Sequence, residues 1–382
     1  MTQSYNEELI SLFVSELENS LEKIQISLSQ QIDLYNLATG AYSPLTDFCR
    51  RDDFVSITKK MQLQNGTLWS IPIILAIDEK KAEEILSSKV QTVELIDVDK
   101  SHIASISDVE IYPFDKNSYC TNIFWTLDPK HPGVERVQKM WDFLIGGDVQ
   151  VKDGWKVQFD DVESKKILSP KETRDLFQSK WFKEIVAFQT RNVPHRGHEY
   201  IQKCALENVD ALLVHPVIGE KKSWDFQNHV ILGSYEILAN KYYNPERVII
   251  SCLPWVMQYA WPREAIMHAI IRQNFWCTHF IVGRDHAWVW SYYDTYDAQK
   301  IFDTLPEWAL RIKILRYENA AYCPQVEWVV TDKTSPSASA ERIFISGTKF
   351  RALLTAWIRP PVEFIRKEIT DYLLSEKNIF ID

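Results

Sequence analysis

The stretch VAFQTRNVPHRGHEY, residues 186–200, decides how the chain is read. Its apolar start ends at Phe188 as a buried strand would. A polar turn, Gln189-Thr190-Arg191-Asn192, follows. His195 and His198 then stand three apart, with Gly197 between them, at the start of a helix. A strand that passes through a polar turn into a helix is the repeating unit of a parallel α/β sheet. The helix N-terminus offers unpaired N–H groups and positive potential, which makes it a seat for phosphate. Two imidazoles at this spacing can point together at a polyphosphate and donate to its oxygens as negative charge builds. Zinc is the rival reading of HxxH, but the glutamate that HExxH places between its two histidines is absent.

Outward from this stretch the texture alternates. Strands are expected at 185–188, 211–215, 248–252, 280–283 and 312–315, with helices at 198–208 and 263–274. That pattern implies a doubly wound parallel sheet, whose sites lie beyond the carboxyl ends of the strands. Upstream, Ser169-Pro170-Lys171-Glu172 has the cap, proline and acidic first turn of a helix start. Before it, short β runs such as VQTVELIDV and DVQVKDGWKVQF imply a mostly β N-terminal domain ending near Phe159, after an amphipathic helix over residues 1–30 with Leu9, Leu12, Phe13 and Leu17 on one face. From Ser346 onward the chain reads as helical. The expected division is 1–164, 165–332 and 333–382.

Three more polar turns deserve weighing. HPVIGEKKSWDF carries Lys221 and Lys222, and alone it reads as a solvated basic turn. GRDHA, residues 283–287, holds Arg284, which either forks onto phosphate or sulfate or pairs internally with Asp285. In ISGTKFRALL, Ser346 and Thr348 read as simple helix caps. The first two share a strand-end address with the QTRN turn, and that common address raises them together. No GxxxxGK[ST] occurs, which disfavours a P-loop enzyme.

The net charge of −9 excludes a general nucleic-acid binder, so any polyanion site must be a local basic pocket. No apolar run approaches membrane-spanning length, and the N-terminus lacks the order of a signal peptide. The six dispersed cysteines, with no CxxC pair, suit free thiols in a reducing cytoplasm.

Taken together, the motifs resemble those of the ATP sulfurylase (sulfate adenylyltransferase) family over nearly the whole chain. QTRNVPHRGHE is similar to the family's QTRNPxHRAHE, HPVIGEKKSWD to HPxxGxxKxGD, GRDHAW to GRDHAG, and ISGTKFRALL to ISGTxxRxxL. The segment from Gly40 to Leu75 resembles its β-rich, PUA-like N-terminal domain, and LSPKETRDLF its linker. The resemblance implies an α/β, Rossmann-like nucleotidyltransferase domain between that domain and a small helical C-terminal segment. It implies attack of sulfate on the α-phosphorus of Mg·ATP, giving adenylyl sulfate and pyrophosphate. Thr190, Arg191, Asn192, His195 and His198 would be catalytic. The ATP site would comprise Gln189 to Asn192, His195, His198, Gly283, Arg284, Asp285, His286 and Val330. Gln189, Arg191 and Ala287 would hold sulfate. Mg2+ would come with ATP. No zinc is expected, because of a possible cysteine cluster near AYCPQVEWVV only Cys323 is present. Homo-oligomers are common in the family, and no appended adenylylsulfate kinase domain is expected. An HxGH-type nucleotidyltransferase with another acceptor is the alternative; the paired QTRN and GRDHA turns and the N-terminal β domain count against it.

One composition figure is odd. Glycine occurs 11 times and tryptophan 14 times, so glycine is about 3 % against a usual ~7 %. Tryptophan stands where the family pattern has glycine at Trp125, Trp181, Trp224, Trp261, Trp276, Trp288 and Trp290, and Trp141, Trp328 and Trp357 join that set. Trp69 does not. TGA separates the two residues' codons by one base, so these positions are expected to be TGA codons that the source reads as glycine. Taken literally, the indoles would crowd the ATP pocket and leave a catalytically impaired homologue.

Overall fold

A computed structural model describes residues 9–221, 223–260, 262–284, 292–336 and 341–381. The central sheet has the strand order Val248–Ile250, Ala211–Ile218, Ile185–Thr190, His279–Val282, Lys313–Arg316, all parallel, with Leu253–Pro254 pairing farther along Ala211–Ile218. In chain order that is 3-2-1-4-5. The order reverses between Ile185–Thr190 and His279–Val282, and a crevice opens beyond the carboxyl ends of strands at such a point.

Alternation along each strand builds a core on both faces. Ile185, Ala187, Leu213 and Phe280 join a core that is continuous with the N-terminal domain. Val186, Phe188, Leu212, Val214 and Ile281 face the other way, against Ile201, Tyr235 and Ile369 from the helices Arg196–Leu206, Asn228–Tyr242 and Lys367–Ser375. Every residue of ALLVHPVI is buried, as expected of a strand covered on both faces. The expected helix start holds: Ser169 Oγ accepts from Glu172 N–H at 3.2 Å, and the Glu172 carboxylate accepts from Ser169 N–H at 2.6 Å, opening the helix Pro170–Ser179.

The N-terminal part is built on a seven-stranded sheet around the long antiparallel pair His102–Pro113 and Phe143–Lys152. It is more helical than its short β runs imply, with helices Leu28–Ala38, Arg51–Lys60, Glu79–Ser88, Lys116–Ile123 and Pro132–Lys139. Their start signals were local: Ser27 with Gln30 forms a capping box, and Asp78 and Asp115 cap the third and fourth. The expected helix over residues 1–30 is not there over 9–27. Phe13–Val14 instead lies parallel to Val151–Lys152, Lys23–Gln25 pairs with Glu94–Ile96, and Leu21 is 93 % exposed. Sheet edges offered two short pieces of this segment backbone partners, and that outweighed a weak helical periodicity.

Candidate active site

The QTRN turn closes on itself at the end of its strand. Thr190 Oγ1 donates to the Asn192 carbonyl at 2.9 Å and accepts from Asn192 N–H at 3.1 Å. This hydroxyl-backbone exchange fixes the turn in place of a strand ladder. Among the described residues, Gln189 Oε1 and Arg191 NH1 are buried without a hydrogen-bond partner. A buried guanidinium nitrogen and amide oxygen left unpaired are costly unless something is meant to sit against them.

His195 is the N-cap of the helix Arg196–Leu206. Its Nδ1 accepts from Gly197 N–H at 3.1 Å and from His198 N–H at 3.4 Å. Nδ1 is therefore the unprotonated nitrogen, and Nε2 carries the hydrogen. The two imidazoles stack at 3.7 Å between Phe188 and Phe364. Burial pushes His195 down to about 4, and burial together with the neighbouring His195 pushes His198 well below its ordinary value. Both rings are neutral N–H donors at pH 7. Gly197 is required for close approach: a Cβ there would lie 2.5 Å from the Ala320 carbonyl oxygen.

Glu199, the last residue of HRGHE, does other work. Its buried carboxylate accepts a two-pronged bond from Arg366 at 2.7 and 2.8 Å and a third bond from Lys203 at 2.7 Å. With Arg196 N–H donating to the Phe364 carbonyl, this ties the C-terminal segment onto the site helix.

The second and fourth motifs meet the first. Arg351, from the helix Gly347–Thr355, donates to Asn192 Oδ1 at 3.3 Å and to the Trp224 carbonyl at 2.9 Å, and lies 3.7 Å from Asp225. It lines a cleft of about 660 Å³ with Trp224, Asp225 and Thr348. The sequence reading missed Arg351, although it is the arginine printed in ISGTKFRALL. Ser346 caps its helix through Lys349 N–H as expected. Lys221 corrects the solvated-turn reading. It is largely enclosed, donates to the Phe226 carbonyl at 2.9 Å, and is pushed down to about 8, chiefly by burial, with Arg191 adding repulsion. Lys222 lies outside the described residues. Arg351 is likewise lowered, first by burial, with Asp225 opposing the shift and Arg191 adding to it. Lys221, Arg191 and Arg351 thus form a local basic pocket in an acidic chain, with Asp225 as counter-charge.

Gly283 and Arg284 follow the strand His279–Val282 across the switch point from the QTRN turn. Asp285, His286 and Ala287 lie outside the described residues, as do Trp261, Trp288 and Trp290. Val330 is buried in a two-stranded ribbon, Ala321–Cys323 with Trp328–Val330, that packs on the site helix. Among the described residues, no three His, Cys, Asp or Glu side chains are grouped to hold a metal ion.

Comparison with known proteins completes the description. An ATP-sulfurylase family model matches residues 164–376, and a PUA-like domain model matches residues 4–153. The chain is 42 % identical over 366 residues to a sulfate adenylyltransferase of Trichormus variabilis, covering 94 % of this chain and 90 % of the relative. To the sulfate adenylyltransferase of Pyrococcus abyssi it is 39 % identical, covering 96 % and 93 %. In fold it is similar to a hexameric APS kinase from Thiobacillus denitrificans, at a TM-score of 0.74 and 20 % identity, covering 99 % of this chain and 69 % of that one. With one family model over more than half its length and full-length relatives near 40 % identity, the chain belongs to the ATP-sulfurylase family.

Proposed function

We propose that the chain is a sulfate adenylyltransferase: a sulfate oxygen bonds to the α-phosphorus of ATP, the bond to the bridging oxygen breaks, and pyrophosphate leaves as adenylyl sulfate forms. Relatives of that name match over almost the entire chain. The observation that carries the reading is the set of donors left waiting at the switch point. Two neutral imidazoles, each fixed by packing, stand at a helix N-terminus in one motif with Arg191, whose buried guanidinium nitrogen has no hydrogen-bond partner among the described residues.

Such a displacement depends on positioning and charge stabilisation more than on covalent chemistry by the protein. Gln189 and Arg191 would hold sulfate, together with Ala287. Thr190 and Asn192 would shape the turn between the two anions. His195, through Nε2–H, and His198 would donate to the bridging and α-phosphate oxygens as charge shifts onto pyrophosphate. Neutral donors suit this role because their protons need not be lost or gained during the step. Gly283, Arg284, Asp285, His286 and Val330 would complete the nucleotide site, with Arg351 and Lys221 raising the positive potential. Mg2+ would arrive on the triphosphate as part of the substrate. The functional division is 1–164, 165–332 and 333–382, and the working form is a cytoplasmic homo-oligomer.

The test is sulfate-dependent pyrophosphate release from ATP. The reading expects release that requires sulfate and falls by about 10²–10³ on removal of either imidazole. Release that ignores sulfate but follows another acceptor would replace it with the HxGH alternative.

A further inference from the structure

We infer that Asp128 and His131, in the N-terminal domain, are positioning residues for the nucleotide turn that begins at Gly283 and Arg284. This rests on the reading just given. The chain that leaves the sheet after His279–Val282 is gripped again at Tyr292 and Tyr293 by side chains and backbone of the segment 124–131. Tyr292 Oη donates to Asp128 Oδ2 at 2.8 Å, and Tyr293 Oη donates to the Phe124 carbonyl at 2.8 Å. The same Tyr293 hydroxyl lies 3.2 Å from His131 Nε2. His131 is fully buried, caps the helix Pro132–Lys139 through Nδ1, and packs edge-on against both tyrosine rings. With Nδ1 accepting, Nε2–H must be the donor, so Tyr293 is held on two sides. Three hydrogen bonds and two ring contacts from His131 are more than a passing loop needs.

The test uses Tyr293→Phe, which removes one hydroxyl and little else, and His131→Asn, which keeps a capping acceptor but loses Nε2–H. Sulfate-dependent pyrophosphate release by the unaltered protein checks the underlying reading first. Given that activity, each variant should raise KM for Mg·ATP about tenfold, leave KM for sulfate within about twofold, and move Tm little. A lowered Tm with KM for Mg·ATP unchanged would make the contact a structural brace only and overturn the inference. A chain with no activity toward sulfate is tested by ATP binding alone: weaker ATP protection from unfolding in Tyr293→Phe upholds the positioning role, and equal protection ends it.

An independent observation carries a second inference: the geometry points to glycine, not tryptophan, at 125, 181, 224, 276 and 357 in the working protein. All five have left-handed backbone, φ +58° to +70°, and supply five of the eleven non-glycine residues with positive φ among the described residues. All five side chains are exposed, from 38 % to 86 %, whereas Trp69 and Trp255 are buried in the core. Three of them end helices with the same pair of bonds. Trp181 N–H reaches the Gln178 carbonyl and Phe182 N–H the Phe177 carbonyl. Trp276 and Cys277 repeat this with Gln273 and Arg272, and Trp357 and Ile358 with Leu354 and Leu353. That paired termination places its first donor in the left-handed region, where glycine alone carries no Cβ penalty. Trp125 likewise follows a helix C-cap, Phe124, in left-handed backbone. Trp141 and Trp328 are exposed but lack the left-handed backbone, so the inference stops short of them. Reading the gene settles it: TGA at the five positions with TGG at Trp69 and Trp255 is expected, and TGG at all seven would overturn the inference. Replacing the five tryptophans by glycine should also raise Tm by about 5 °C; an unchanged or lower Tm contradicts it.

Discussion

Two helices in this molecule begin in the same way and end up with different tasks. Pro132–Lys139 and Arg196–Leu206 are each capped by a histidine whose Nδ1 accepts from the N–H groups two and three residues on, at 3.2 and 3.3 Å in one and 3.1 and 3.4 Å in the other. Each has glycine two residues after the cap, where a Cβ would meet a neighbour at 2.6 Å or less. Burial pushes both cap histidines down to about 4. The difference lies at Nε2. His131 spends it on the Tyr293 hydroxyl, while His195 has no hydrogen-bond partner there among the described residues and stacks on a second imidazole. The cap fixes tautomer and direction. What the far nitrogen faces decides whether the ring positions a neighbouring segment or acts on the substrate itself.

Perturbing what the second helix has and the first lacks should break the parallel most strongly. His198→Ala removes the stacked partner, and sulfate-dependent turnover should fall by about 10²–10³ with the helix intact by circular dichroism. Next comes Glu199→Ala, which leaves Arg366 facing a buried gap. Chemical denaturation should show a loss of about 3 kcal/mol, the scale for breaking a buried pair. The equivalent pair on the first helix, Glu135 with Lys139, is solvent-exposed, and Glu135→Ala should change stability by less than about 0.5 kcal/mol.

A shared property gives a smaller effect that both helices should show. An unfolded histidine titrates near 6.5, and both caps titrate near 4 when folded, so the unfolded chain binds more protons between those values. Their contribution is complete above about pH 6.5 and is lost as pH falls toward 4. Tm measured across that window should decline, and the decline should be shallower in both His131→Asn and His195→Asn. A slope unchanged by either substitution would exclude the caps as its source.

Much of the catalytic half was legible because its signals are local. The strand ending at Phe188, the QTRN turn and the two histidines are contiguous, and a parallel sheet allows few ways to arrange them. The helix 263–274 was bounded to the residue. What escaped was set by distant partners. Arg351 reaches Asn192 across 159 residues, and Lys221 is desolvated by neighbours that no turn motif reveals. The N-terminal segment followed the same rule: Phe13–Val14 became a strand because the edge of Phe143–Lys152 was open. His131 was visible only as a letter in HPG, since its role depends on two tyrosines more than 160 residues away.

The most direct test of this account sets His195→Asn against His131→Asn in one assay of sulfate-dependent pyrophosphate release. Asparagine keeps an oxygen to cap each helix and removes the ring that carries Nε2–H. For His195→Asn the expected result is a fall in kcat of about 10²–10³ with KM for sulfate little changed, and for His131→Asn a raised KM for Mg·ATP with kcat within a few-fold of the unaltered protein. Equal losses of kcat in the two variants, or none in His195→Asn, would contradict the claim that the free nitrogen of the second cap acts on the phosphates.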